Sequence, residues 1–173
     1  MKLNEGRGIY DLCKKLWPIT RSITGNGVRE TLKIIQQEIH NLTIHEVSTG
    51  TQCFDWKIPK EWNIKNAYII DPSGKIIVDF RDNNLHVVSY SVPINKTVSL
   101  SELQRHLYSL PEQPDAIPYV TSYYEERWGF CLTENQRKTL KEGDYQVYID
   151  SELSDGSLTY GELIIHGKSE KEV

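Results

Sequence analysis

No apolar run in this 173-residue chain approaches the roughly 20 residues that a membrane-crossing helix requires. The stretch from Met1 to Tyr10 is polar and lacks the apolar segment of a secretory leader, so the sequence reads as cytoplasmic. Cysteine is scarce: Cys13, Cys53 and Cys131 are far apart, odd in number and form no CxxC pair. That argues against a disulfide framework and excludes a cysteine-based zinc knuckle, and three reduced, mostly buried thiols are expected. Basic charge is also wanting. The chain has 20 Lys and Arg against 24 Asp and Glu, a formal net charge of -4, and no basic stripe. The electrostatic footprint of a nucleic-acid binder is therefore missing, and the same holds for attraction to an anionic membrane surface.

Signatures of chemistry are equally sparse. There is no P-loop, no dinucleotide fingerprint, no HExxH and no GxSxG elbow. Gly25-Asn26-Gly27 is only a fragment of a phosphate-binding loop and reads equally as a turn with a helix cap. His40, His45, His86, His106 and His166 are scattered, and no two have the spacing of metal ligands. Asp79, Asp82, Asp115, Asp150, Glu152 and Asp155 pair only if the fold brings them together. The run from Asp150 to Asp155 lacks the glycine and terminal Glu of an EF-hand loop. No complete catalytic or metal site is legible.

Aromatic residues are plentiful, with ten Tyr and four Trp, and each buries a large area, so a modest apolar content still supports a core. Ile9, Leu12, Cys13 and Leu16 share a helical face that Pro18 closes. Val28, Leu32, Ile35, Ile39 and Leu42 form the clearest amphipathic stripe, with Asn26 as its expected N-cap. Strands are expected at Ile44–Val47, Cys53–Ile58, Ala67–Ile70, Lys75–Phe80 and Leu85–Tyr90, with Asp71-Pro72-Ser73-Gly74 as a hairpin turn. Ser99-Leu100-Ser101-Glu102 is a capping box ahead of Leu100, Leu103, Leu107 and Leu110, a helix that Pro111 ends. Thr133 to Gln136 is a second capping box. Strands follow at Tyr145–Asp150 and Leu158–His166, and Glu172 and Val173 would begin another.

Two segments concentrate ligand-recognising groups. One is Thr20 to Gly27, with Arg21, Ser22, Thr24 and Asn26. The other is Tyr119 to Phe130, with Tyr123, Tyr124, Glu125, Arg127 and Trp128. Arginine and aromatics combine fixed donors with flat apolar area, and interior packing with surface ion pairs is the competing use of the same residues.

The same segments carry a resemblance. Arg21-Ser22-Ile23-Thr24-Gly25, followed by Asn26 to Leu32, resembles the N-terminal signature of a bacterial zinc aminopeptidase-like family. Phe54-Asp55-Trp56 and Pro59 to Ile64 resemble the start of its inserted small β domain, long catalogued as a domain of unknown function. Ser109 to Pro111, Pro114 to Tyr124, Arg127 to Cys131 and Asp155 to Glu162 match further blocks, so the likeness runs from about Leu12 to Val173. The resemblance implies an α/β peptidase core with a β-domain insert and a following winged helix, and hydrolysis of N-terminal peptide bonds by a zinc-activated water.

It also implies that the ligand histidines and the catalytic glutamate follow the strand that would begin at Glu172, so the chain reads as an N-terminal portion. The expected fold class is α+β, part of an α/β aminopeptidase-like core. Residues 1–52 would be N-terminal helices and the first core strand, 53–142 the inserted β-rich domain, and 143–173 the return to core strands. Catalytic and metal residues are expected to be none here. Zinc is expected for the full-length protein and not for this chain alone. Arg21, Tyr123, Tyr124 and Arg127 are the candidate wall of a cleft for a peptide or aminoacyl substrate, with arginine as the carboxylate clamp. The alternative is a non-catalytic binding module that recognises a peptide or other ligand through the β domain; a pseudoenzyme is a third reading. Leu158–His166 is expected at an exposed edge, available for homo-oligomer pairing.

Overall fold

The computed structural model describes residues 2–122 and 125–167, with side chains from residue 6. The chain is α+β, as expected, and no helix among the described residues is long and apolar enough to cross a membrane. Helix α1 (Lys2–Leu16) starts earlier than its apolar stripe suggests. It packs loosely: Ile9 and Cys13 are exposed, and Trp17 just beyond it is 62% exposed. The expectation of mostly buried thiols fails: the loosely packed α1 leaves Cys13 exposed, Cys53 is exposed on a two-residue strand, and only Cys131 is buried.

Helix α2 (Asn26–Glu38) carries the predicted stripe but stops before Leu42. Its N-cap is Gly25, not Asn26, and Gly25 has no side chain to offer. The missing cap comes from another element, because the backbone N–H of Asn26 donates to Asn63 Oδ1 at 2.8 Å. Strand β1 (Thr43–Ser48) follows. The single strand expected over Cys53–Ile58 is instead a minimal hairpin, β2 (Gln52–Cys53) and β3 (Trp56–Lys57), turned by Phe54 at φ 50°.

The centre of the molecule is a four-stranded antiparallel sheet. Strand β4 (Glu61–Ile70) pairs with β5 (Ile76–Asp79) across a turn in which Asp71 Oδ1 accepts from Ser73 N–H, Ser73 Oγ and Lys75 N–H. The segment Leu85–Tyr90, read as a strand, is not one. Asn83 Oδ1 caps Leu85 N–H and winds Asn84–His86 into a 3-10 turn, and Tyr90 sits at φ 69°. Strand β6 (Ile94–Ser99) leads into α3 (Leu100–Leu103), where Ser99 Oγ accepts from Glu102 N–H as the capping box predicts. The Glu102 carboxylate does not reach back; it binds Lys96 Nζ at 2.6 Å.

The helix expected to reach Leu110 also breaks. Leu107 leaves it to form β7 (Leu107–Tyr108), paired in parallel with β8 (Phe130–Cys131), so tertiary pairing overrides the leucine stripe. The short helix α4 (Glu134–Lys138) is capped by Thr133 Oγ1. Strand β9 (Asp144–Ser154) lies between β4 and β6, giving the order β5-β4-β9-β6. The β unit therefore runs through Ser154, past the boundary drawn at 142.

Alternation along β4 and β9 sends Ala67, Ile69, Tyr145, Val147 and Ile149 to one face, where they pack with Val98, Leu103, Phe130 and Leu132. The opposite face carries Tyr68 stacked on Tyr148, centroids 4.9 Å apart. Strand β10 (Ser157–Glu162) turns back from β9 and pairs antiparallel with β1, and α2 lies over it, with Leu32 and Leu42 close to Gly161. It ends short of His166. Its other edge meets only Thr24, through an isolated bridge to Leu158, among the described residues. The strand expected from Glu172 lies outside the described residues.

Candidate functional site

The loop between α1 and α2 is pinned to the β unit by a polar network whose members are distant in sequence. Thr24 is buried; its Oγ1 accepts from Trp62 N–H at 3.1 Å and lies 2.5 Å from Tyr90 Oη. Trp62 stacks on Tyr90 and donates its indole N–H to Ser91 O, which also accepts from Ser151 Oγ. Burial makes each of these bonds costly to leave unmade, so together they fix one position of the loop. Gly25, at φ 96°, lets the backbone approach Trp62 O so closely that a Cβ there would lie 2.2 Å from it. Next to this network Arg29 binds Glu61 through both guanidinium Nη atoms. Glu61 also accepts from Asn63 Nδ2 and Ser157 N–H, and Arg29 above all holds its carboxyl down at about 2.

Thr24, Gly25 and Asn26 thus serve folding, while Arg21 is left at the surface. Its Nη1 donates to Leu16 O at 2.5 Å, satisfying a carbonyl at the C-terminus of α1. Arg21 lines a hollow of about 320 Å³ with Trp17, Ser22, Asn84, Ser89 and Tyr119. Its inner wall is formed by Leu85, Val87 and Trp62. Ser89 Oγ donates to Ser22 Oγ at 2.9 Å, and Asn84 Nδ2 donates to Trp17 O at 3.0 Å. A second hollow of about 530 Å³ opens on the other side of the loop, where Gly27, Glu30, Lys65 and Glu152 meet.

The predicted site residues are only partly assembled. Arg127 does not line the hollow that holds Arg21. It is half-buried, donates Nη1 to Tyr108 Oη at 3.3 Å and Nη2 to Thr121 O at 3.2 Å, and lies over the Tyr108 ring. It ties Thr121 to Tyr108 and has no carboxylate partner among the described residues. Tyr123 and Tyr124 lie outside the described residues. Trp17, Asn84 and Ser89 lie outside the two segments the sequence marks, and Tyr119 is the first residue of the second. No local pattern marks them, because three separated segments supply the wall.

The histidines serve structure or the surface. His86 Nδ1 is 2.8 Å from Cys131 O, His106 stacks on Trp128 at 3.7 Å, and His45 pairs with Glu162 at 3.1 Å. Among the described residues no three His, Cys, Asp or Glu converge as a metal site would require. A larger hollow of about 610 Å³ lies between the β4–β5 turn and α4, bounded by Lys75, Gln136, Lys141 and Glu142. None of the predicted site residues lines it.

Three likenesses to known proteins bear on this geometry. Residues 61–152 match the family described as a domain of unknown function, DUF2172. Over 97% of its length the chain is 56% identical to a protein of Clostridium acetobutylicum named, provisionally, a polysaccharide biosynthesis protein with an aminopeptidase-like domain. It also superposes with a TM-score of 0.90 and 55% identity on the crystal structure of a provisionally named peptidase from Clostridium acetobutylicum. The chain spans 38% of the first of these proteins and 40% of the second.

Proposed function

The chain belongs to the DUF2172 family, and from that premise we propose that it is the scaffold and substrate-wall portion of a peptidase-like hydrolase that removes N-terminal residues from peptides. The observation that carries this reading is the superposition of 97% of this chain on 40% of the clostridial chain named as a peptidase. The Arg21 hollow supports it: a guanidinium with free donors at an aromatic rim suits a ligand carboxylate. In this reading Arg21 is the clamp, and Arg127 positions the segment that presents Tyr119.

Zinc does not fit the residues present. The donor set among the described residues offers no convergent trio, and the histidines are committed to Cys131 O, Trp128 and Glu162 or stand alone at the surface. No step is assigned to a metal within them. The reading places the metal in the part of the longer protein that this chain does not span.

Aminopeptidase assays on aminoacyl anilides test the proposal, run with this chain and with the longer clostridial relative, each with zinc and with a chelator. The expected result is metal-dependent cleavage by the longer protein and none by the chain. Cleavage by the chain alone, or inactivity of the longer protein on every aminoacyl substrate, overturns it.

A further inference from the structure

The hollow beside Arg21 combines three features. Trp17 and Tyr119 stand on its rim, each 62% exposed. Single exposed apolar residues need no explanation, but two large aromatics on one concavity mark a surface fitted to a flat partner. The second feature is charge. Among the described residues Arg21 is the only charged one lining the hollow, and no carboxylate lies within 4 Å of it. In a chain of net charge -4 this is a locally cationic cleft with its counter-ion unassigned.

The third feature is the floor. At Ser89 the backbone is already committed: its N–H donates to Val120 O and its O accepts from Ser122 N–H. An extended peptide recognised by main-chain pairing finds no partner at those groups. The side chains around it offer the Ser22 and Ser89 hydroxyls, the Asn84 side-chain carbonyl, and the Arg21 Nε and Nη2 groups. Such scattered side-chain donors and acceptors suit a ligand that carries polar groups around a ring.

We infer that this hollow binds a pyranose bearing a carboxylate, a sugar of the uronic-acid type. Its apolar C–H face stacks on Trp17 and Tyr119, its carboxylate takes the Arg21 fork, and its hydroxyls meet Ser22 and Asn84. A volume of about 320 Å³ lies at the small end of ligand clefts and suits one or two rings rather than a long chain. The inference takes from the proposed function only that the hollow is a ligand site, and gives the Arg21 fork a sugar carboxylate in place of a peptide's.

The test is titration of the chain with glucuronate, with neutral methyl glucoside and with the dipeptide Gly-Phe, following the Trp17 indole N–H resonance. Glucuronate is expected to bind at least about tenfold tighter than the neutral sugar, the factor that one charge-assisted hydrogen bond supplies. Arg21→Gln should erase that margin, and Trp17→Ala and Tyr119→Ala should each abolish binding. All three side chains are exposed, so unchanged thermal melts confirm that folding is intact. Binding of Gly-Phe but not glucuronate, equal affinity for charged and neutral sugars, or indifference to these substitutions overturns the inference. A peptidase-active relative with no glucuronate binding by this chain defeats only this inference. Glucuronate binding alongside an inactive relative defeats only the proposed function.

Discussion

Arg29 on α2 and Glu61 at the first position of β4, 32 residues apart, form an ion pair with Nη1 to Oε2 at 2.9 Å. The Glu61 side chain is 11% exposed and also takes hydrogen bonds from Asn63 and Ser157. One carboxylate thereby ties α2, the long strand β4 and the start of β10 together. Gly156 adds to this closeness, since a Cβ there would lie 2.3 Å from Glu61 Oε2.

The pair predicts an acid-sensitive fold. The Glu61 carboxyl is lowered from 4.5 to about 2, first by the Arg29 hydrogen bond. A group whose pKa is depressed by folding stabilises the native state above its unfolded pKa and loses that contribution as pH falls toward the folded value. Stability should therefore drop between about pH 4.5 and pH 2 by roughly 2–3 kcal/mol from this group. Urea unfolding across that range measures it. In Glu61→Gln the chain should be less stable at pH 7 and the acid-dependent drop should shrink; an unchanged acid limb would sink the assignment.

Gly25 and Gly50 make a matched pair for a second prediction. Both have positive φ, 96° and 82°. A Cβ on Gly25 meets Trp62 O at 2.2 Å, whereas nothing lies within 4 Å of one on Gly50. Gly50→Ala should cost only the left-handed backbone strain, about 1 kcal/mol. Gly25→Ala should cost that strain plus displacement of the loop from β4, about 3 kcal/mol or more. Thermal denaturation of the two variants decides it, and equal losses would show that the approach to Trp62 is not tight.

The periodic elements were legible in the sequence, and the places where reading failed share a cause. The α2 stripe, the β4–β5 turn and both capping boxes are local patterns, and the backbone follows them. Leu107 and Leu110 continue a helical stripe on paper, yet Leu107 pairs with Phe130 in a strand. That partner is remote, so spacing could not reveal it. Asn26 reads as a cap because caps usually precede their own helix, and the side chain that accepts from the helix N-terminus, Asn63, sits on β4. Arg21 is legible as a candidate because arginine in a loop is conspicuous. Trp17, Asn84 and Ser89 are not, because a cleft wall built from three segments has no signature in any one of them.

The three thiols should separate cleanly by reactivity. Cys13 and Cys53 are exposed, whereas Cys131 is buried and its thiol is pushed up to about 12 by burial. Since the thiolate is the reactive form, Cys131 should be inert in the native state. A chromogenic disulfide reagent at pH 8 should therefore modify Cys13 and Cys53 within minutes and Cys131 only in denaturant. Native labelling of Cys131, located by mass spectrometry, would mean that the β7–β8 region opens readily.

Strand β10 supplies the last prediction. It is hydrogen-bonded to β1 on one side, while beyond the Thr24–Leu158 bridge its other edge has no partner strand among the described residues. The residues around its end are apolar and outward: Tyr160 is 44% exposed, Leu163 42%, Ile164 63% and Ile165 83%. Edge strands of stable monomers are usually blunted by lysine, proline or a bulge. Here the only charge between Leu158 and Ile165 is Glu162, which is engaged with His45. The chain should therefore self-associate with rising concentration through this edge. Sedimentation velocity should show a dimer that Ile164→Lys or Ile165→Lys shifts to monomer, because a lysine at either position adds charge that two copies cannot bury. A wild-type chain that stays monomeric at every concentration would mean that the exposed apolar run does not template pairing.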